Sequence, residues 1–141
     1  MDAIVVGTDG SHGSEAAVRK VIEVAQGSGA TIHLVCAYPH AGTLERLGLT
    51  AKTDAVNMRG IAADVLARDE RRFEEAGFSV QTYAREGDPA NTILDVAGEA
   101  DADLIAVGAR GESGLRRFML GSVAGKLAHN TPTSLLIVRD E

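Results

Sequence analysis

The chain has 141 residues, is 45% apolar and carries a formal charge of −6, with 14 Lys and Arg against 20 Asp and Glu. That length suits a single domain with a sizeable core, and an acidic chain without a basic cluster excludes a general nucleic-acid binder. No run approaches the roughly 20 apolar residues of a membrane span, and the opening MDAIVVGTDGS lacks the basic start of a secretory signal, so a soluble cytoplasmic protein is expected.

Aromatic residues make up only 4% of the chain and Trp is absent, so the core must be built from Ala, Val, Leu and Ile. Residues 3–7 (AIVVG) are a short continuous apolar run, as expected of a strand buried on both faces. Residues 14–26 follow with helical spacing. Ala17, Val18, Val21, Ile22 and Ala25 form one stripe, Ser11 or Ser14 can cap its start, and Gly27 and Gly29 supply stop signals. Residues 31–37 (TIHLVCA) read as a second strand, which makes Cys36, the only cysteine, a small buried core residue.

Residues 39–56 lack a clear period and read as a long connection. A longer helix is predicted over 57–76, with Met58, Ile61, Ala62, Val65, Leu66 and Phe73 near one face. The charge run RDERRFEE at 68–75 is mixed in sign and is assigned mostly to the solvated side. Residues 78–84 alternate apolar and polar, as in a half-exposed strand near an edge. Asp88-Pro89 marks a helix start, with Asp as cap and Pro at the first helical position. Ala90, Ile93, Leu94 and Ala97 are that helix's buried stripe. Residues 104–108 (LIAVG) form the fourth strand and 122–129 a short helix. Asn130 is expected as a left-handed cap, Pro132 blocks continuation, and the fifth strand runs from Thr133 to Arg139.

Strands alternating with helices predict one α/β domain over residues 1–141, a parallel sheet with helices on both faces. In such sheets ligands sit beyond the carboxyl ends of the strands, where the strand order reverses. Asp9 follows the first strand and Gly108 ends the fourth; as neighbours they would face one crevice. Two glycines, Gly108 and Gly111, open a long loop there, and Gly121 with Ser122 closes it at a helix start. Glycine admits close approach of a ligand to the backbone, and helix N-termini attract anions. Backbone N–H groups of Gly121, Ser122 and Val123 are the candidate phosphate donors. Arg110, Arg116 and Arg117 are candidate added charge. The loop lacks the Lys-Ser/Thr of a P-loop, and Gly7-Thr8-Asp9-Gly10-Ser11 lacks the dinucleotide fingerprint. His12, His33, His40 and His129 have no metal-ligand spacing.

The spacing Gly108-x2-Gly111-x9-Gly121-Ser122 resembles the nucleotide-binding motif of the universal stress protein family. The opening AIVVGTDGS and the ending after Pro132 resemble the same family, and the weakest match is residues 38–56. The resemblance implies a flavodoxin-like or Rossmann-like doubly wound fold with strand order 3-2-1-4-5, and a homodimer made by pairing the last strands, from Thr133 to Arg139. It implies ATP as ligand, with Mg²⁺ held mainly by phosphates and water. It places Gly7, Thr8 and Asp9 at the adenosine part and Ala37 against adenine. Gly108, Arg110 and Gly111 would line ribose and phosphates, and Gly121, Ser122, Val123 and Ala124 the phosphate tail. Ala109 and Ala124 stand where many members carry a hydroxyl, which removes two side-chain donors and leaves the backbone donors in place.

The expected function is a nucleotide-dependent regulatory module of the stress response, with an unidentified protein partner. No base and nucleophile stand together, so no catalytic residue is assigned and slow ATP hydrolysis is the most that is expected. Three alternatives stay open: an ATPase or phosphotransferase using Asp9, a binder of AMP or cyclic AMP, and a dimerising module with an empty site.

Overall fold

A computed structural model describes residues 1–46, 48, 51–111 and 120–140. Five strands form one parallel sheet: β1 (Ala3–Gly7), β2 (Thr31–Tyr38), β3 (Ser79–Glu86), β4 (Leu104–Gly108) and β5 (Ser134–Val138). Their order is β3-β2-β1-β4-β5, as the resemblance implied. The helices are α1 (His12–Ala25), α2 (Ala41–Arg46), α3 (Ala51–Glu75), α4 (Pro89–Glu99) and α5 (Ser122–Asn130).

The apolar side chains of each central strand alternate between two cores. Ile4 and Val6 of β1 join Ile32 and Leu34 of β2 under α1 and α3, where Val18, Val21, Ala62, Leu66 and Phe73 close the layer. Val5 and Val35 face the other way, with Ile105 and Val107 of β4, against Ile93 and Val96 of α4 and Leu127 of α5. The central strands therefore read as unbroken apolar runs, because both faces are covered. Phe73 and Phe78 meet edge-on at 5.8 Å and pin the end of α3 to the start of β3. The edge position of β3 accounts for its alternating, half-exposed sequence.

The structure departs from the sequence reading at several places. Residues 39–56 are not one long connection: α2 occupies part of them and α3 starts at Ala51 rather than 57. Ser11 caps α1, accepting from Ser14 N at 3.3 Å, so that helix begins at His12. Asn130 is the last residue of α5 and not a left-handed cap. Its amide donates to Lys126 O at 2.7 Å, while Asp101 is the one non-glycine with positive φ among the described residues. Asp69, inside the charge run assigned to solvent, is fully buried.

Candidate functional site

β1 pairs with β2 on one side and β4 on the other, so the strand order reverses at β1. An open crevice lies at the carboxyl ends of β1 and β4, about 810 Å³ with its open mouth included. All eleven residues singled out from the sequence line it: Gly7, Thr8, Asp9, Ala37, Gly108, Arg110, Gly111, Gly121, Ser122, Val123 and Ala124.

Three elements build its walls. After β1, Thr8 is buried and its N–H donates to Val35 O at 2.9 Å, continuing the sheet by one residue. Asp9 is exposed, and its Oδ1 accepts from Ser11 N at 2.9 Å, a local turn that precedes α1. Asp9 thus shapes the turn, and Ser11 rather than Asp9 caps the helix. The second wall is apolar: Val35 and Ala37 share one face of β2, and Pro89 and Ile93 come from the start of α4. From sequence, Ile93 reads only as core and Pro89 only as the first helical residue after the Asp88 cap. Their place here follows from α4 starting at the same end of the sheet as the crevice.

The third wall is the glycine loop. At Gly108 a Cβ would lie 2.5 Å from the carbonyl carbon and oxygen of Gly13, so β4 and the start of α1 touch backbone to backbone. At Gly111 a Cβ would lie 2.8 Å from Asp9 Oδ2, which puts Asp9 directly across from the loop. Gly121 closes it: its N–H donates to Ala109 O at 2.6 Å, and its own carbonyl accepts from Gly125 N to begin α5. Gly121 is the N-cap, and no side chain makes a capping bond there. Helix geometry leaves the N–H groups of Ser122, Val123 and Ala124 without partners inside the helix. Ser122 is exposed at the first helical position, so its hydroxyl is not the cap. Ala109 and Ala124 are buried, so each contributes backbone and volume rather than a polar group.

The charged side chains divide. The Arg110 guanidinium hydrogen-bonds Asp140 just beyond β5, and that contact first of all holds the Asp140 carboxyl below its ordinary range. Arg116 and Arg117 lie outside the described residues. Cys36 is buried behind the crevice. Burial, and then the charges of Asp9 and Asp69, push its thiol up to about 11, so it is an inert core residue at neutral pH. Burial also lowers the pKa of His33, whose Nδ1 lies 2.8 Å from the Tyr83 hydroxyl in the sheet, away from the crevice lining. Among the described residues no three His, Cys, Asp or Glu gather as metal ligands, and no helix is long and apolar enough to cross a membrane.

Sequence missed Asp69. Thr8 Oγ1 donates to its Oδ2 at 2.7 Å from directly behind the crevice wall. A helix-period count that placed residue 69 with Ala62, Val65, Leu66 and Phe73 would have found it.

These features define a doubly wound α/β domain with a glycine-walled crevice where its strand order reverses. The universal stress protein family model matches residues 1–139, and the chain belongs to that family. It is 32% identical to universal stress protein MJ0531 of Methanocaldococcus jannaschii, over 96% of this chain and 81% of that one. Among solved structures, the hypothetical protein MJ0577 superposes with a TM-score of 0.85 at 21% identity, covering 97% of this chain and 94% of the other. A universal stress protein in complex with cAMP superposes with a TM-score of 0.71 at 28% identity, covering 99% and 98%.

Proposed function

We propose that this chain binds an adenine nucleotide in the crevice, with ATP as the ligand, and acts as a nucleotide-dependent regulatory module of the stress response. The observation that carries the reading is the start of α5. Its first-turn N–H groups line a glycine-walled crevice, and Gly121 offers no side chain to satisfy them. Unpaired donors with the positive end of a helix dipole favour phosphate. The apolar wall of Val35, Ala37, Pro89 and Ile93 suits a flat base, with Asp9 at the ribose side and Gly108, Arg110 and Gly111 along the phosphates. Arg110 would serve there while tied to Asp140, and Mg²⁺ would ride on phosphate oxygens and water.

Binding would act by shifting the population of a partner-competent surface. The outer edge of β5 would pair with a second copy to make a cytoplasmic homodimer, since an unpaired edge strand is a template for strand addition. A second reading is cyclic AMP or AMP as ligand, the cyclic nucleotide supported by the cAMP complex of the 28% identical relative.

The test is to denature freshly purified protein, identify any released nucleotide by mass spectrometry, and titrate the stripped protein with ATP–Mg²⁺, AMP and cyclic AMP. Release of ATP and tightest binding of ATP–Mg²⁺ are expected. Tightest binding of cyclic AMP or AMP would replace ATP by the second reading. No release and no affinity for any of the three would end both.

A further inference from the structure

α3 presents Val65, Arg68 and Asp69 to the turn that follows β1, three positions that share one helical face. A Cβ at Gly10 would stand 3.0 Å from Val65 Cγ2. Arg68 reaches Glu15 in the first turn of α1 at 3.7 Å. Between these contacts lies Asp69, fully buried. A buried carboxylate is costly unless its oxygens are matched. Here Oδ2 accepts the Thr8 hydroxyl at 2.7 Å and Oδ1 faces Arg68 Nε at 3.3 Å.

A threonine hydroxyl has one hydrogen and two lone pairs. With its hydrogen committed to Asp69, Thr8 Oγ1 accepts from Gly10 N at 3.4 Å and lies 3.2 Å from Ser14 Oγ, whose own hydrogen goes to Ser11 O at 3.0 Å. One buried carboxylate therefore sets the Thr8 rotamer, and Thr8 touches both ends of the turn that displays Asp9 to the crevice. We propose that Asp69 is a positioning residue of this site: from α3 it holds Thr8, and through Thr8 the turn carrying Asp9, so that crevice occupancy and the seating of α3 are linked. The proposal rests on the adenine-nucleotide reading for its ligand. The linkage is reciprocal, as any coupling between binding and conformation must be.

Asp69→Ala, Asp69→Leu and Asp69→Asn separate a positioning role from a structural one. Ala removes the acceptor, Leu removes it while keeping apolar volume should Ala fail to fold, and Asn keeps an oxygen for the Thr8 hydroxyl. Each is titrated with adenosine and with ATP at a temperature where it is folded. Amide exchange of the ligand-free proteins is followed at Gly10 and Ser11. Asp69→Ala or Asp69→Leu is expected to weaken adenosine and ATP alike by about tenfold, because the loss lies in the turn and not at the phosphate end. Asp69→Asn is expected to recover most of that loss. Exchange at Gly10 and Ser11 is expected to quicken by about tenfold in the Ala or Leu protein, with the amides of β4 unchanged. A lower melting temperature with unchanged affinities and unchanged exchange at Gly10 and Ser11 would overturn the proposal. If the wild type binds neither ligand, the nucleotide reading falls by itself, and the exchange rates still decide whether Asp69 holds the turn.

Discussion

Gly108 ends β4 and Gly111 follows three residues later, yet different neighbours forbid a side chain at each. At Gly108 the obstacle is the backbone of Gly13, which cannot rotate aside. Gly108→Ala must pry the end of β4 from the start of α1, and a loss of about 1–3 kcal/mol is expected. At Gly111 the obstacle is the exposed carboxylate of Asp9, which can swing away. Gly111→Ala should therefore hold wild-type stability to within about 0.5 kcal/mol and instead weaken adenosine binding by displacing Asp9. Thermal unfolding and titration of the two variants check the contrast; equal loss of stability in both would refute it. The glycines were legible because their spacing is a motif. Asp69 was not, because in RDERRFEE it looks like any other charge, and only the fold turns it inward toward Thr8. Ser122 was half legible: its place at the helix start was clear, but a hydroxyl there could equally have been a cap until Gly121 took that position.

At the scale of elements, α4 and α5 are joined at the crevice end by one residue. Asp88 caps α4 by accepting from Asn91 N at 3.0 Å, and Lys126 of α5 donates to the same carboxylate at 3.0 Å. The backbone N–H of Asn91 first, and then Lys126, hold the Asp88 carboxyl below the ordinary carboxylate value. Below about pH 4 the unfolded chain therefore binds more protons at this site than the folded one. The stabilisation is fully present above that pH and is lost as the pH falls through the lowered folded-state value. Asp88→Ala is expected to cost about 1 kcal/mol at pH 7, and the gap to wild type should narrow on acidification below about pH 4. Denaturant unfolding at pH 7 and pH 3 measures it, and a gap that does not change with pH would contradict the assignment. Asp88-Pro89 announced this helix because cap and proline are local signals. Residues 39–56 gave no such sign. Neither the start of α3 nor α2 carries a proline or a cap-and-stripe pattern, and Val56 and Ile61 stay exposed, so no apolar stripe marks the helix there.

At the scale of the molecule, the sheet leaves two edges, β3 and β5. β3 presents a polar, half-exposed strand, with Arg85 paired to Glu99 at 2.6 Å. β5 presents SLLIV, with Leu135, Leu136 and Ile137 only partly covered. An apolar, uncharged edge is the one suited to strand pairing between copies. Light scattering coupled to gel filtration is expected to report twice the chain mass of 14.7 kDa. A mass of one chain at micromolar concentration would remove β5 pairing from the proposal. The sheet order itself was readable from alternating periods only as far as a parallel sheet; the 3-2-1-4-5 order came from the family motif.

β1 is made first and sits in the middle. Its partner on one side, β2, follows within a few tens of residues, but Ile4 meets Leu104 on the other. The crevice lies on that second seam, and its closing glycine and helix come later still. During synthesis the site cannot exist until Gly121 and the first turn of α5 have left the ribosome. In refolding, pairings this distant in sequence close late and slowly. A ligand bound there would meet a surface completed only once β4 and α5 are in place, so it would act on the lifetime of the native state rather than on the speed of reaching it.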